Sequence, residues 1–313
     1  MKRMLVVAAL VVTFGTLINA CESRGGGTGS SDDRDSTERT NSIQPTDSFP
    51  WNFPRDFTLK DVEVGQTVLS PAAFYGGALQ RGEDLTATLL PIYCFYIKEV
   101  GQNTITVAGM GEEIDVPQAL VIPLPKDEKA QNGDVLLTWW QSGQGLQRAI
   151  VVDDTKPLRP KVCYLDLDYK ADGRGFANNH ANEELRPSSF KVLKSGEWMS
   201  GASVAVNDNG KWKAAIIVNI KGDKLLLTDA GNRIWVAERA NCQLIPFNTN
   251  YAVGDMVWAK LGDAFEPDCK VVKVDKRIGR IRVEKHGRMA VLSILEVTKE
   301  LKEQPKKWAC NNK

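Results

Sequence analysis

The sequence predicts an all-β chain of four small consecutive sheet-built units, and three observations predict it. A glycine followed by a strand-like run recurs at Gly65, Gly133, Gly201 and Gly254, at spacings of 68, 68 and 53 residues. Each opener leads into further runs rich in β-branched and aromatic residues with turn residues between them. Few windows carry the 3.6-residue apolar spacing of an amphipathic helix; the best, Leu292 to Lys302, reads as a strand followed by a turn of helix.

The first element is a leader. Lys2 and Arg3 precede an apolar run from Met4 to Leu17, too short for the roughly 20 apolar residues of a permanent span but in the basic, apolar, small order of a signal peptide over residues 1–20. The segment Ile18, Asn19, Ala20, Cys21 resembles the lipobox of bacterial lipoproteins. That resemblance implies cleavage before Cys21, acylation of the Cys21 thiol with diacylglycerol and of its new amino group with a chain such as palmitate, and attachment to a membrane of the cell envelope. Buried methylenes at about 0.8 kcal/mol each would hold such an anchor in one leaflet. Glu22 rather than Asp after the cysteine fits, by the same resemblance, an outer-membrane or periplasm-facing address. Residues 21–56 follow as a lipidated cysteine and a Gly-, Ser- and Asp-rich tether, without enough apolar surface to offset backbone ordering and with a reach of roughly 30 Å.

The four units then divide at 57–126, 127–195, 196–248 and 249–313. Their first strands are expected at Gln66–Leu69, Asp134–Thr138, Ala202–Val206 and Asp255–Ala259. The second strands are expected at Tyr93–Val100, Leu146–Val152, Trp212–Ile220 and Cys269–Val274, and the third at Asn103–Val107, Lys161–Leu167, Lys224–Thr228 and Arg280–Glu284. A polar stretch and a short aliphatic strand close each unit near Leu124, Leu193, Ile245 and Val297. Gly101, Gly222 and Gly279 mark hairpin turns, and Val271 to Lys276 shows the period of two of a half-buried strand. About five short strands in 53 to 68 residues suit a small closed barrel, because closure removes edges that a tiny open sheet would expose.

SH3-like barrels meet that description, and the third unit resembles the Tudor-type variant. The resemblance is carried by Gly210, Lys211, Trp212 to Ile216, then Gly222 and Asp223, then Thr228 to Asn232, and finally Leu244, Ile245 and Pro246. It implies a ligand face to which Trp212 gives one aromatic wall and Asn232 a polar group, with Ala230 standing where a second aromatic belongs. In the second unit Tyr169 occupies roughly the matching turn, and Trp139 and Trp140 lie near the first loop. Adjacent residues of a strand point to opposite faces, so one of that tryptophan pair faces a surface or an interface. Trp212 and Trp258 equally suit core or inter-unit packing, because aromatics dominate small cores.

Composition removes several function classes. The chain has 313 residues, 42% of them hydrophobic, and its 40 Lys plus Arg balance 39 Asp plus Glu for a net charge of +1, so no nucleic-acid partner is expected. His180 and His286 are the two histidines, and the six cysteines form no Cys-x-x-Cys pair, so neither a metal site nor a cofactor is expected. Serine-elbow, zincin, phosphate-loop and dinucleotide motifs are absent from the sequence. The pairs Asp153–Asp154 and Asp166–Asp168 keep an alternative open, an envelope hydrolase or carbohydrate-processing enzyme using two carboxylates, against the plainer reading of hydrated surface charge. The polar stretch from Asp172 to His180 is a candidate contact loop.

Cysteine use fits an oxidising compartment, where Cys269 and Cys310 could close the C-terminal segment by a disulfide worth about 2–4 kcal/mol. Cys94 and Cys163 sit in apolar runs as buried thiols. Residues 195–313 hold 20 Lys plus Arg against 14 Asp plus Glu, with Lys270, Lys273, Lys276, Arg277, Arg280, Arg282, Lys285 and Arg288 on one hairpin. That hairpin could meet anionic lipid, lipopolysaccharide phosphates or cell-wall polymer, or simply guard a sheet edge. The leading expectation is a non-catalytic binding or scaffolding module whose partners are the membrane, through its anchor, and a protein segment or peptidoglycan.

Overall fold

The computed structural model describes Leu59 and residues 61–71, 91–102, 104–143, 145–167, 170–171, 176–177, 182–229, 233–247, 250–299 and 301. Cys21 and the leader lie outside these residues, as do Tyr169, Asn232 and Cys310. Among the described residues all the regular structure is β apart from two single 3-10 turns, Gln118–Leu120 and Arg239–Asn241, and every strand pairing is antiparallel. Among the described residues no helix is long and apolar enough to cross a membrane.

One strand plan occurs four times. The first unit contains β1 (Thr67–Pro71), β2 (Ile92–Val100), β3 (Thr104–Gly109), β4 (Glu112–Pro117) and β5 (Ile122–Pro123), ordered β4-β3-β2-β1-β5. The second has β6 (Val135–Trp139), β7 (Leu146–Asp153) and β8 (Lys161–Tyr164), then a separate two-stranded hairpin of β9 (Lys170–Ala171) and β10 (Phe176–Ala177), then β11 (Glu183–Glu184) and β12 (Lys191–Val192), ordered β11-β8-β7-β6-β12. The third has β13 (Ser203–Asp208), β14 (Lys211–Lys221), β15 (Lys224–Thr228), β16 (Ile234–Glu238) and β17 (Cys242–Ile245). The fourth has β18 (Met256–Leu261), β19 (Ala264–Asp275), β20 (Arg280–Lys285), β21 (Arg288–Ser293) and β22 (Val297–Thr298). In every unit a four-strand meander is followed by a fifth strand that returns beside the first. Among the described residues no ladder joins the fourth strand of a unit to the fifth. A pairing of Lys213 with Ala264 links β14 to β19, so the third and fourth units share a ten-stranded sheet.

The opening glycines explain why the plan repeats. Gly65, Gly133, Gly201 and Gly254 hold φ of 86°, 90°, 92° and 98°, a region costly to residues with a Cβ. Each donates its N–H to the second strand of its unit, to the carbonyls of Ile97, Val151, Ile217 and Val271 at 2.7, 2.9, 2.7 and 2.8 Å, and the N–H of the same acceptor residue returns to the carbonyl after the glycine. Close to that clamp every second strand carries a register shift, between Ile97 and Glu99, Val151 and Asp153, Ile217 and Asn219, and Val271 and Lys273. An extra residue there bends the strand and sharpens its twist, curling a small sheet around its apolar face.

Gly201 has a second duty, because a Cβ there would meet Leu193 Cδ2 at 2.9 Å and Leu137 Cδ1 at 3.0 Å, whereas one on Gly65 would meet nothing within 4 Å. Gly201→Ala is therefore expected to cost about 2–3 kcal/mol, strain plus overpacking, and Gly65→Ala about 1–2 kcal/mol from strain alone, as read by urea unfolding of the two variants.

Alternation along the strands places the cores. In β6 Leu136 joins Ala149, Val151, Val162 and Phe190 inside the second unit, while its neighbours Val135 and Leu137 face a larger cluster that includes Val68, Ile122, Leu226 and Val271 from the other three units. In β15 Leu225 and Leu227 fill the third unit with Val204 and Ile217, and Leu226 joins the shared cluster. Uninterrupted apolar runs are what two buried faces require. Each first, second and third strand expected from the sequence overlaps an observed one. Leu292 to Lys302 differs from expectation: Leu292 and Ser293 end β21, a turn follows, and β22 occupies Val297–Thr298, with no helical turn among its described residues. The return of β22 to β18 takes the backbone hydrogen bonds a helical turn would have kept.

Candidate functional site

Where the second, third and fourth units converge they leave a cleft of about 290 Å³. The second unit contributes Trp140, just past the end of β6, and Arg148 and Asp166, from β7 and the segment after β8. The third contributes Ser203, Thr228 and Asp229, and the fourth Lys260, Phe265 and Glu296.

Its floor is a buried ion pair. The Arg148 side chain is 4% exposed and that of Asp166 16%. Arg148 Nη2 donates to Asp166 Oδ1 at 2.6 Å, Nε to Oδ2 at 3.0 Å, and the Arg148 backbone N–H to Oδ2 at 2.7 Å. Nη1 donates onward to the third unit, to Ser203 Oγ and to the Gly201 carbonyl at 3.4 Å. Burial alone would raise the Asp166 carboxyl; the charge and hydrogen bonds of Arg148 outweigh it and hold the group below the usual carboxylate range. An aspartate fixed in this way is a poor proton donor or acceptor at neutral pH.

The remaining charges of the lining are also matched. Lys260 Nζ meets Glu296 Oε1 at 2.8 Å, with both side chains about four-fifths buried, and Glu296 Oε2 accepts from the Ser293 N–H at 2.9 Å. Asp229 meets Arg233 Nη2 at 2.6 Å. The cleft thus presents ion pairs, hydroxyls and one tryptophan side chain, with no excess charge left uncompensated by its own neighbours.

The tryptophan pair splits as strand geometry requires. Trp139 is buried, 6.3 Å from the Tyr93 ring and 5.8 Å from the Arg186 guanidinium, and serves the shared core. Trp140 is half-buried and lines the cleft. Trp212 is packed with Ala205, Ile245, Phe265 and Leu301, and Trp258 lies against the same cluster, so both serve the joint between the third and fourth units. Of the candidate ligand residues the structure brings Trp140 to the cleft and sends Trp139 and Trp212 inward; Tyr169 and Asn232 lie outside the described residues.

Other sequence candidates take structural places. Asp153 accepts from the Thr155 N–H at 3.0 Å, a bond that lowers its carboxyl, and faces Lys161 at 3.6 Å; Asp154 accepts from the Asn132 N–H at 3.0 Å. Both cap surface turns, and Asp168 lies outside the described residues. Cys269 is fully buried with its thiol toward the carbonyls of Glu266 and Pro267 at 3.5 and 3.7 Å, and its proposed partner Cys310 is outside the described residues. Burial pushes the Cys94 and Cys242 thiols up to about 11. Within the stretch from Asp172 to His180 only the backbone of Phe176 and Ala177 is described, paired with Ala171 and Lys170.

The basic hairpin is divided. Lys270, Lys276, Arg277 and Arg288 are exposed, Lys285 pairs with Glu266 at 2.8 Å, and Arg280, 1% exposed, donates through Nη2 to the Tyr164 carbonyl at 2.6 Å and the Leu167 carbonyl at 3.1 Å in the second unit. Sequence reasoning missed Arg148, Lys260 and Glu296 as site residues, since each is a charge whose partner lies on another strand or turn. Among the described residues no group of three potential ligands could hold a metal ion. No protein-family model and no curated protein matches this chain.

Proposed function

We propose that this is a lipid-anchored protein of the bacterial cell envelope in which four tandem SH3-like barrels, the third Tudor-like, form a non-catalytic binding or scaffolding module for a protein segment or peptidoglycan. The observation that carries the reading is the fourfold recurrence of one glycine-clamped, five-strand plan, with the fifth strand returning beside the first. Repeated small sheets that share an apolar cluster make a multi-module block suited to presenting surfaces and clefts. The fixing of Asp166 by Arg148 takes one carboxylate from the hydrolase alternative.

The anchor and the binding activity are separable by experiment. The full chain expressed in a bacterium should sediment with membranes and incorporate labelled fatty acid, and Cys21→Ser should release it from membranes and abolish the label. The full chain in detergent should also co-sediment with purified cell wall or retain an envelope protein. An unlabelled, membrane-free wild-type chain would end the lipoprotein reading. Failure to retain either partner, with turnover on a glycan or ester panel, would end the binding-module reading.

A further inference from the structure

The cleft between the second, third and fourth units has an electrostatic character that selects its ligand. Each ionised group in its lining already faces a counter-charge: Arg148 with Asp166, Lys260 with Glu296, Asp229 with Arg233. A charged ligand would leave its own hydration there and find no unmatched partner, and a buried charge without compensation is costly. An uncharged ligand rich in hydroxyls loses less, and can donate to Glu296 Oε1, which takes the Lys260 ammonium, and accept from that ammonium and from the Ser203 hydroxyl, whose oxygen already accepts from Arg148. Trp140 supplies an apolar wall. A Cβ on Gly143 would meet the Trp140 ring at 2.2 Å, so the loop backbone packs tightly on that side chain and limits its freedom. The volume, about 290 Å³, lies at the lower end of ligand sites and suits one or two sugar rings better than a folded peptide.

We infer that this cleft is a binding site for a neutral saccharide, with Trp140 covering the C–H face of a sugar ring and the Lys260–Glu296 pair taking its hydroxyls. The inference rests on the binding-module reading and specifies its ligand: the glycan portion of a cell-wall polymer in preference to its charged peptide.

The probes are chitobiose and chitotetraose as neutral sugars, glucosamine as a cation and glucuronate as an anion, titrated calorimetrically and by saturation-transfer NMR into the full chain in detergent. The neutral sugars should bind at least tenfold more tightly than either charged one. Trp140→Ala should weaken them at least tenfold, and Trp140→Phe should keep part of the affinity. Glu296→Gln leaves Lys260 without its counter-charge, so it should raise affinity for glucuronate severalfold while lowering that for chitobiose. Charged sugars binding as well as neutral ones, no sugar binding at all, or Trp140→Ala and Glu296→Gln chains that fold yet bind as wild type does would each overturn the site. If cell-wall sedimentation or retention of an envelope protein persists while soluble saccharides fail to bind, the site falls and the binding-module reading stands; if all fail and turnover appears on a glycan or ester panel, the module reading falls with it.

Discussion

Asp166→Ala should lower the unfolding free energy by about 3–5 kcal/mol, the usual result of removing one member of a buried ion pair. The substitution strands Arg148, 4% exposed, with only Ser203 and the Gly201 carbonyl for its guanidinium, at the seam where the second unit meets the third. A urea titration checks it, through a shifted midpoint with little change in slope. The same pair sets a pH dependence whose sign follows from the depressed folded-state carboxyl. The unfolded chain binds a proton near the ordinary aspartate value of about 3.9 and the folded chain only below that, so the stabilisation is fully present above roughly pH 5 and is lost as pH falls through the folded value. Asp166→Asn, which cannot ionise, should show a shallower loss of stability below about pH 4 than the wild type. An unchanged acid limb would remove the pair from the stability of the fold.

Arg280→Ala should have an effect of the same order, about 3–5 kcal/mol. Its Nη2 is the donor that reaches across from the fourth unit to the carbonyls of Tyr164 and Leu167. Deleting it withdraws that donor from two acceptors, at about 1–3 kcal/mol for a group left unsatisfied in the interior, and opens a void beneath a side chain only 1% exposed. Arg280→Lys should fall between, since an ammonium keeps the charge without the planar fork. Arg277→Ala, an exposed neighbour on the same hairpin, should stay within about 0.5 kcal/mol and serves as control. Equal stability of the two alanine variants would mean that the fourth unit is not held to the second through Arg280.

The contrast between these arginines shows how far the sequence could be read. Gly65, Gly133, Gly201 and Gly254 were legible because left-handed backbone demands a particular residue at a particular place, and a local demand leaves a local trace. The strands that follow them were legible for the same reason, through β-branched content and alternation. The fourth strands were less so: half of Glu112–Pro117 is charged, and Val116 is its one fully buried side chain. Arg280 reads in sequence as one more cation in a basic hairpin, because its acceptors lie more than a hundred residues earlier and are backbone carbonyls, which carry no side-chain signature. Trp139 and Trp140 could be assigned to opposite faces from strand geometry, but which face met a cleft depended on how whole units dock. The run Leu225, Leu226, Leu227 held a clue to that docking, since alternate apolar residues suffice for one covered face and three in succession require two.

Units that share one plan differ in where their connections are long. The first and second strands are joined by residues 72–91 in the first unit but only by Asn209 and Gly210 in the third; the third and fourth are separated by residues 165–182 in the second unit but only by His286 and Gly287 in the fourth. Extra length at a hairpin tip leaves the ladder beneath it in register, because pairing is fixed by the glycine clamp and the bulge rather than by the turn. Units built on the same scaffold can therefore carry connections of very different length. Replacing residues 72–91 with an Asn-Gly turn should accordingly spare the first sheet, as Asn209 and Gly210 already serve the corresponding strands of the third unit.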